Sequence, residues 1–266
     1  MGRSRQQVIV VIPARYGSSR FPGKPLVRLG EKPMIQHVYE QAAACRSVNE
    51  VLVATDDDRI KRAVEQFGGR VVMVAGDYRT GTDRVAAVAR MFAGECFVNL
   101  QGDEIPLNPE LLSDLIEPFV QSGAEMGTLK RKMDATDDLQ NPGIVKVVTD
   151  LRGYAAYFSR APIPWVRDDA SRRVVSGLHY IHLGLYMYTK ETLLRFAGLG
   201  TSQLEDAEKL EQLRALEHGI RIRVWETHHA SLRVDAPEDV PDVADRLQQY
   251  DAIKRELSRN RVVPSR

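Results

Sequence analysis

VIVVIPARYGSSRFPGKPL, residues Val8–Leu26, joins a short apolar run to a loop of glycine, serine and basic side chains. Val8–Ile12 is β-branched throughout, and a short continuous run of that kind reads as a buried strand. The loop behind it carries Arg15, Arg20 and Lys24 among Gly17, Ser18, Ser19 and Gly23. Glycines let backbone N–H groups approach a ligand, and the cations match phosphate charge. A strand feeding such a loop is how α/β proteins hold nucleotides. The P-loop pattern fails here: five residues, not four, separate Gly17 from Gly23, and Pro25 follows Lys24 where a magnesium-binding hydroxyl belongs. The dinucleotide fingerprint G-x-G-x-x-G is absent too. The plainer reading is a polar connection with incidental charge, and three cations within this loop weigh against it.

Outward from that strand, the first half alternates. Helical patterns at 33–44, 58–67, 82–92 and from Pro109 onward separate strands at 51–55, 71–74 and 96–100. Thr82 is the expected N-cap of the third helix, and Gly68-Gly69 the stop of the second. Alternation of this kind predicts a parallel sheet with helices on both faces. The second half reads as strands at 127–130, 145–149, 155–158 and 183–188 with few helices between them. They predict an antiparallel portion that extends the sheet or forms an arm. An exposed loop at 166–178, an amphipathic helix over 204–217, a strand at 221–225 and a closing helix from Pro237 to Tyr250 complete the pattern, with a frayed tail at 258–266.

The chain has 266 residues, 43% of them hydrophobic and 27% charged, with a formal net charge of +1. That is enough chain for one large core. The charge balance predicts no nucleic-acid partner, and the lack of long apolar segments predicts no membrane insertion. Cys45 and Cys96 have neither metal spacing nor a partner set, so two buried thiols in the reducing cytoplasm are expected. The polar N-terminus carries no secretory pattern.

Two carboxylates stand out. Asp103 follows the 96–100 strand, and in open parallel sheets such ends face the ligand crevice. Asp235 precedes Pro237, where a helix N-cap is an equally good reading. Asp56, Asp57 and Asp58 read as helix-capping acids. Glu211 and Arg214 have an ordinary i,i+3 ion-pair reading, and His182 and Tyr186 an ordinary packing one.

The ordered set ATDDDRI (54–60), GTDRVA (81–86), VNLQGDE (98–104), YFSRAPIPW (157–165), HLGLYMY (182–188), EKLEQLRALEHG (208–219) and VDAPEDV (234–240) resembles the CMP-Kdo synthetases. These are the 3-deoxy-manno-octulosonate (Kdo) cytidylyltransferases of lipopolysaccharide synthesis. The resemblance runs from about Val8 to Leu247. It implies an α/β fold: a Rossmann-like mixed sheet of the nucleotide-diphospho-sugar transferase type, with a small β-rich arm. One nucleotidyltransferase domain is expected over 1–266, mainly nucleotide-binding over 1–125 and mainly sugar-binding and dimer-forming over 126–250.

It further implies CTP and Kdo as substrates, Mg2+ on Asp103 and Asp235, and a homodimer. Arg15, Lys24, Asp103 and Asp235 are implied as catalytic, and Ala14, Arg15, Lys24, Gly81 and Asp103 as nucleotide-binding. Gln101, Arg160, His182, Tyr186, Glu211 and Gln212 are implied as sugar-binding. The 8-amino analogue of Kdo, and a non-catalytic nucleotide-binding module, are the alternatives. Three departures from the family pattern are visible: Ile105 displaces a proline by one, Ala236 replaces Thr, and HHASLR replaces a glycine-rich segment. His228 and His229 there read as surface residues.

Overall fold

The computed structural model describes residues 6–17, 21–168 and 173–260. Ser18, Ser19 and Arg20 of the first loop, part of the 166–178 loop, and 261–266 of the tail lie outside the described residues. In chain order the elements begin with β1 (Val8–Pro13), β2 (Arg28–Leu29), β3 (Lys32–Pro33), α1 (Met34–Ala44), β4 (Glu50–Thr55), α2 (Asp58–Gln66) and β5 (Val71–Met73). Then come α3 (Gly81–Met91), β6 (Cys96–Asn99), β7 (Glu104–Pro106), α4 (Glu110–Ser122), β8 (Met126–Lys132), β9 (Lys146–Thr149), β10 (Ala155–Ser159) and β11 (Tyr180–Thr189). The chain closes with α5 (Lys190–Ala197), α6 (Gln203–Glu208), α7 (Gln212–Glu217), β12 (Ile222–Glu226), β13 (Ser231–Arg233) and α8 (Val240–Asn260).

Nine strands form one mixed sheet in the order β10-β9-β11-β6-β1-β4-β5, with β8 paired to β11 and β12 to β8. β1 lies parallel between β4 and β6. Its residues alternate between two cores: Val8, Val10 and Ile12 meet α1 and α4, while Ile9 and Val11 meet α3 and α5. Burial on both faces is why this strand has no polar side. The chain runs outward from β1 to β4 and β5, then returns to β6 on the other side of β1. The crevice between β1 and β6 is therefore a topological switch point, where α/β sheets bind ligands. Beyond β6 the sheet turns antiparallel through β11, β9 and β10. These strands extend the main sheet.

Local details depart from expectation where a tertiary partner intervenes. Thr80, not Thr82, caps α3: Thr80 Oγ1 accepts from Asp83 N–H and Asp83 Oδ2 accepts from Thr80 N–H, both at 3.2 Å. The expected 204–217 helix is two helices, broken at Lys209 with φ 52°. The Arg160 guanidinium takes the carbonyls of Glu208 (2.7 Å) and Lys209 (3.4 Å), and the Glu208 carboxylate turns to Ser159 Oγ (2.6 Å). Those carbonyls are satisfied without another helical turn. The closing helix runs to Asn260, ten residues past its expected end, after a short 3-10 turn at Pro237–Asp239. Asp57 caps α2 as its composition suggests.

Two buried polar groups yield tests. Arg214 is 1% exposed and grips Glu205 with two bonds, Nε to Oε2 at 2.8 Å and Nη2 to Oε1 at 2.6 Å. Removing one member of a buried pair strands the other charge. Arg214→Met is expected to cost about 3–5 kcal/mol in urea unfolding, with part of the loss recovered in Arg214→Met/Glu205→Gln.

His182 on β11 is buried, lies edge-on to Phe158 with ring centroids 4.9 Å apart, and shares a 3.1 Å hydrogen bond with Thr128 Oγ1. Burial, with the nearby Arg233 charge, pushes its pKa down to about 3. The unfolded chain then binds a proton below about pH 6.5 that the folded chain refuses. Stability from this group is complete above pH 6.5 and falls with acidification, by up to about 1.4 kcal/mol per pH unit. His182→Gln should flatten that slope, so the stability gap between variant and wild type narrows from pH 7 to pH 5.

Candidate active site

The site starts at the C-terminal end of β1. Pro13, Ala14 and Arg15 lead into a loop that closes where Gly23 N–H donates to the Tyr16 carbonyl at 2.8 Å. Gly23 has φ 73°, and a Cβ there would sit 3.1 Å from the Tyr16 ring, so glycine is required at this turn. The turn aims Lys24 inward. Lys24 Nζ donates to Asp103 Oδ2 at 2.5 Å and to the Val234 carbonyl at 3.0 Å.

Asp103 and Asp235 are brought together by a strand pair. β7 and β13 run antiparallel with Ile105 opposite Leu232 and Glu104 opposite Arg233. Val234 N–H then donates to the Asp103 carbonyl at 3.2 Å. Ile105 fills the core beneath this pair, so the residue that departs from the family pattern is absorbed as a strand position. Glu104 turns away from the cavity. Its Oε1 accepts from Ser231 Oγ at 2.8 Å, and a Cβ at Gly184 would stand 3.1 Å from its Oε2. Burial pushes the Glu104 carboxyl up.

Asp235 does not cap the following turn. The Asp235 and Ala236 N–H groups both donate to Asp239 Oδ2, at 2.7 and 2.8 Å. The Asp235 carboxylate instead meets Arg233 Nε at 3.0 Å and lines the cavity.

A cavity of about 220 Å³ results, lined by Ala14, Arg15, Lys24, Gly81, Gln101, Asp103 and Asp235 of the expected residues. Tyr78, Arg79, Arg84 and Arg233 line it too. Arg79 and Arg84 flank Gly81 at the start of α3, and their spacing around GTD was the missed signal. Arg84 is held by Asp56 at 3.0 Å and Arg79 by Thr201 Oγ1 at 3.0 Å. Arg15 is exposed at the mouth and makes no ion pair among the described residues. Arginine and lysine outnumber the two aspartates here, so the cavity suits a polyanion. Among the described residues no three His, Cys, Asp or Glu side chains gather as a metal cage. Two carboxylates alone fit an ion that draws its remaining ligands from water and substrate phosphate.

The other expected sugar residues stand outside this lining. His182 and Tyr186 share one stretch of β11 with ring centroids 5.3 Å apart. The Tyr186 hydroxyl is buried without a hydrogen-bond partner, as is Oε1 of Glu211. Burial, with Tyr188, Glu211 and Glu104 nearby, raises the Tyr186 pKa well above its ordinary value. Glu211 Oε2 accepts from Thr82 Oγ1 at 2.7 Å, its carboxyl pushed up by burial. Gln212 is buried beside it on α7. Arg160 spends its guanidinium on the carbonyls of Pro142, Glu208 and Lys209. His228 is exposed and His229 half-buried.

Comparison with known proteins places this arrangement. The cytidylyltransferase family matches residues 9–222. The chain is 50% identical over 248 residues to the 3-deoxy-manno-octulosonate cytidylyltransferase of Geobacter sulfurreducens, covering 91% of this chain and 99% of that one. It is 49% identical to the protein of the same name from Trichlorobacter lovleyi, with 91% and 99% covered. A solved CMP:2-keto-3-deoxy-manno-octonic acid synthetase complexed with CTP superposes with a TM-score of 0.85 at 40% identity, over 92% of this chain and 99% of that one. A putative glucose-1-phosphate thymidylyltransferase from Bacillus anthracis, 16% identical with a TM-score of 0.59 over 93% and 94%, shares the fold. The ordered motifs, the mixed sheet and these likenesses agree: the chain belongs to the CMP-Kdo synthetases, the 3-deoxy-manno-octulosonate cytidylyltransferase family.

Proposed function

We infer that this chain transfers CMP from CTP to Kdo and releases pyrophosphate, the activating step for lipopolysaccharide synthesis. The observation that carries the reading is the convergence of Lys24, Asp103 and Asp235 on one cation-rich cavity at the switch point of the sheet. The anomeric hydroxyl oxygen of the sugar bonds to the α-phosphorus and its proton passes to solvent water. The α–β bridging bond breaks, and its electron pair leaves on pyrophosphate.

Arg15 and Lys24 bind the triphosphate and stabilise charge that grows on the leaving group. Ala14 and Gly81 border the base. In the structure Lys24 neutralises Asp103 and Arg233 neutralises Asp235; a triphosphate offers both cations a stronger partner and frees both carboxylates. Asp103 and Asp235 would hold Mg2+, which supplies charge neutralisation and orientation on the phosphates. Gln101, His182, Tyr186, Glu211 and Gln212 supply polar partners for sugar hydroxyls. The Tyr186 hydroxyl, buried without a hydrogen-bond partner among the described residues, supports this. Arg160 acts on the acidic sugar through the α6–α7 break that presents Glu211 and Gln212, or by exchanging a carbonyl for the sugar carboxylate.

We further propose a cytoplasmic homodimer. Buried Cys45 and Cys96 thiols suit a reducing compartment, and no described helix is long and apolar enough to cross a membrane. Exposed Trp165 and Leu178, within the 155–190 segment, suit a subunit contact.

Pyrophosphate release should be strong with CTP, weaker with UTP and negligible with ATP or GTP, and greater with Kdo than with its 8-amino analogue. Comparable turnover with purines would sink the nucleotide assignment. Asp103→Asn and Asp235→Asn should each cut turnover about a hundredfold or more with little change in melting temperature. Because Asp239 makes the cap, an Asp235→Asn protein with normal turnover and a much lower melting temperature would contradict the site. In calorimetric titrations, Arg160→Ala should weaken Kdo and spare CTP, and Lys24→Ala the reverse, each by about tenfold or more.

A further inference from the structure

We propose that Thr82 and Asn99 are positioning residues that tie Gln101, in the nucleotide cavity, to Glu211, on the sugar side, through one polarised chain of hydrogen bonds. The proposal rests on the reading above, in which both ends touch substrate.

Three bonds make the chain. Thr82 Oγ1 donates to Glu211 Oε2 at 2.7 Å. Asn99 Nδ2 donates to Thr82 Oγ1 at 3.0 Å. Gln101 Nε2 donates to Asn99 Oδ1 at 2.8 Å. Thr82 and Asn99 are each 1% exposed, so water does not compete for their bonds. The members come from α3, the end of β6 and the start of α7. Thr82 is available because Thr80 has taken over the cap of α3. Arg214 Nη2 stands 3.5 Å from Glu211 Oε1.

The polarity follows from one end. A carboxylate only accepts, and Thr82 has a single hydroxyl proton to give it. Asn99 must then offer Thr82 an N–H. That turns the Asn99 carbonyl toward Gln101, which must answer with its own NH2 group. Gln101 Oε1 is left for the cavity. Gly81 makes room for this amide: a Cβ there would stand 3.0 Å from Gln101 Oε1 and 3.2 Å from Nε2. Gln101 therefore offers a ligand its Oε1 as an acceptor, with the second hydrogen of its NH2 group beside it. Linked dipoles in a dry interior strengthen one another, so loss of the middle disturbs both ends.

The test compares wild type, Thr82→Ser, Thr82→Val, Gln101→Ala and Thr82→Val/Gln101→Ala by pyrophosphate release, with melting temperatures alongside. Thr82→Val should raise the KM for Kdo about tenfold, and Thr82→Ser should restore it. The Gln101→Ala penalty should shrink in the Thr82→Val background, because Gln101 has already lost its orientation. Thr82→Ala provides the same comparison if Thr82→Val does not fold. A lower melting temperature with unchanged KM, or penalties that multiply independently, overturns the relay while the activity stands. Wild type without CMP transfer overturns the functional reading and the relay together.

Discussion

The Lys24 ammonium is the contact on which the site depends. It joins the loop after β1 to the turn after β6 through Asp103, and to the end of β13 through the Val234 carbonyl. These segments lie far apart in sequence and meet at the edge of one cavity. Two carboxylates facing that cavity without a cation would repel each other. Lys24 and Arg233 each balance one of them. A flexible four-carbon stem suits that task, since the same ammonium can be redirected to a phosphate without moving the backbone.

The β7–β13 pair is the scaffold for this contact. It is small, yet it sets the register of both aspartates and turns Glu104 inward beneath Gly184. Adjacent residues thus receive opposite fates, because successive side chains of a strand point to opposite faces. Glu104 joins the interior with Ser231, and Asp103 joins the cavity. Farther from the cavity, Tyr186, Glu211 and Gln212 form a polar group inside an otherwise apolar core. Leaving the buried Tyr186 hydroxyl without a hydrogen bond costs about 1–3 kcal/mol. A polyhydroxylated ligand would offset that cost, whereas an apolar one would add to it.

Much of this was legible in order along the chain. The β-branched Val8–Ile12 run and the alternation with helices are local signals, and each became the expected element. Asp57 as a cap and Gly68 as a helix stop are also decided by neighbouring residues. Where a distant partner supplies the deciding hydrogen bond, local patterning misleads. The 204–217 segment has an unbroken helical period, yet Arg160 removes the need for its central turn. Thr82 has cap chemistry, yet Asn99 and Glu211 claim its hydroxyl. Asp235 lies in a helix-start signature, yet Asp239 does the capping.

By itself the sequence determined the fold class, the glycine turn that follows the first strand and the family, because periodicity, turn chemistry and ordered motifs are properties of neighbours in the chain. Only the tertiary structure decided that Asp103 and Asp235 share a cavity, that Glu104 does not, and that Arg79, Arg84 and Arg233 complete its charge. It also decided that Arg160 holds backbone carbonyls and that Glu211 is linked to Gln101. The physical reason is the same in each case. A side chain's role is settled by which partner satisfies its charge or hydrogen bond, and those partners come from segments that only strand pairing and helix packing bring within 3 Å.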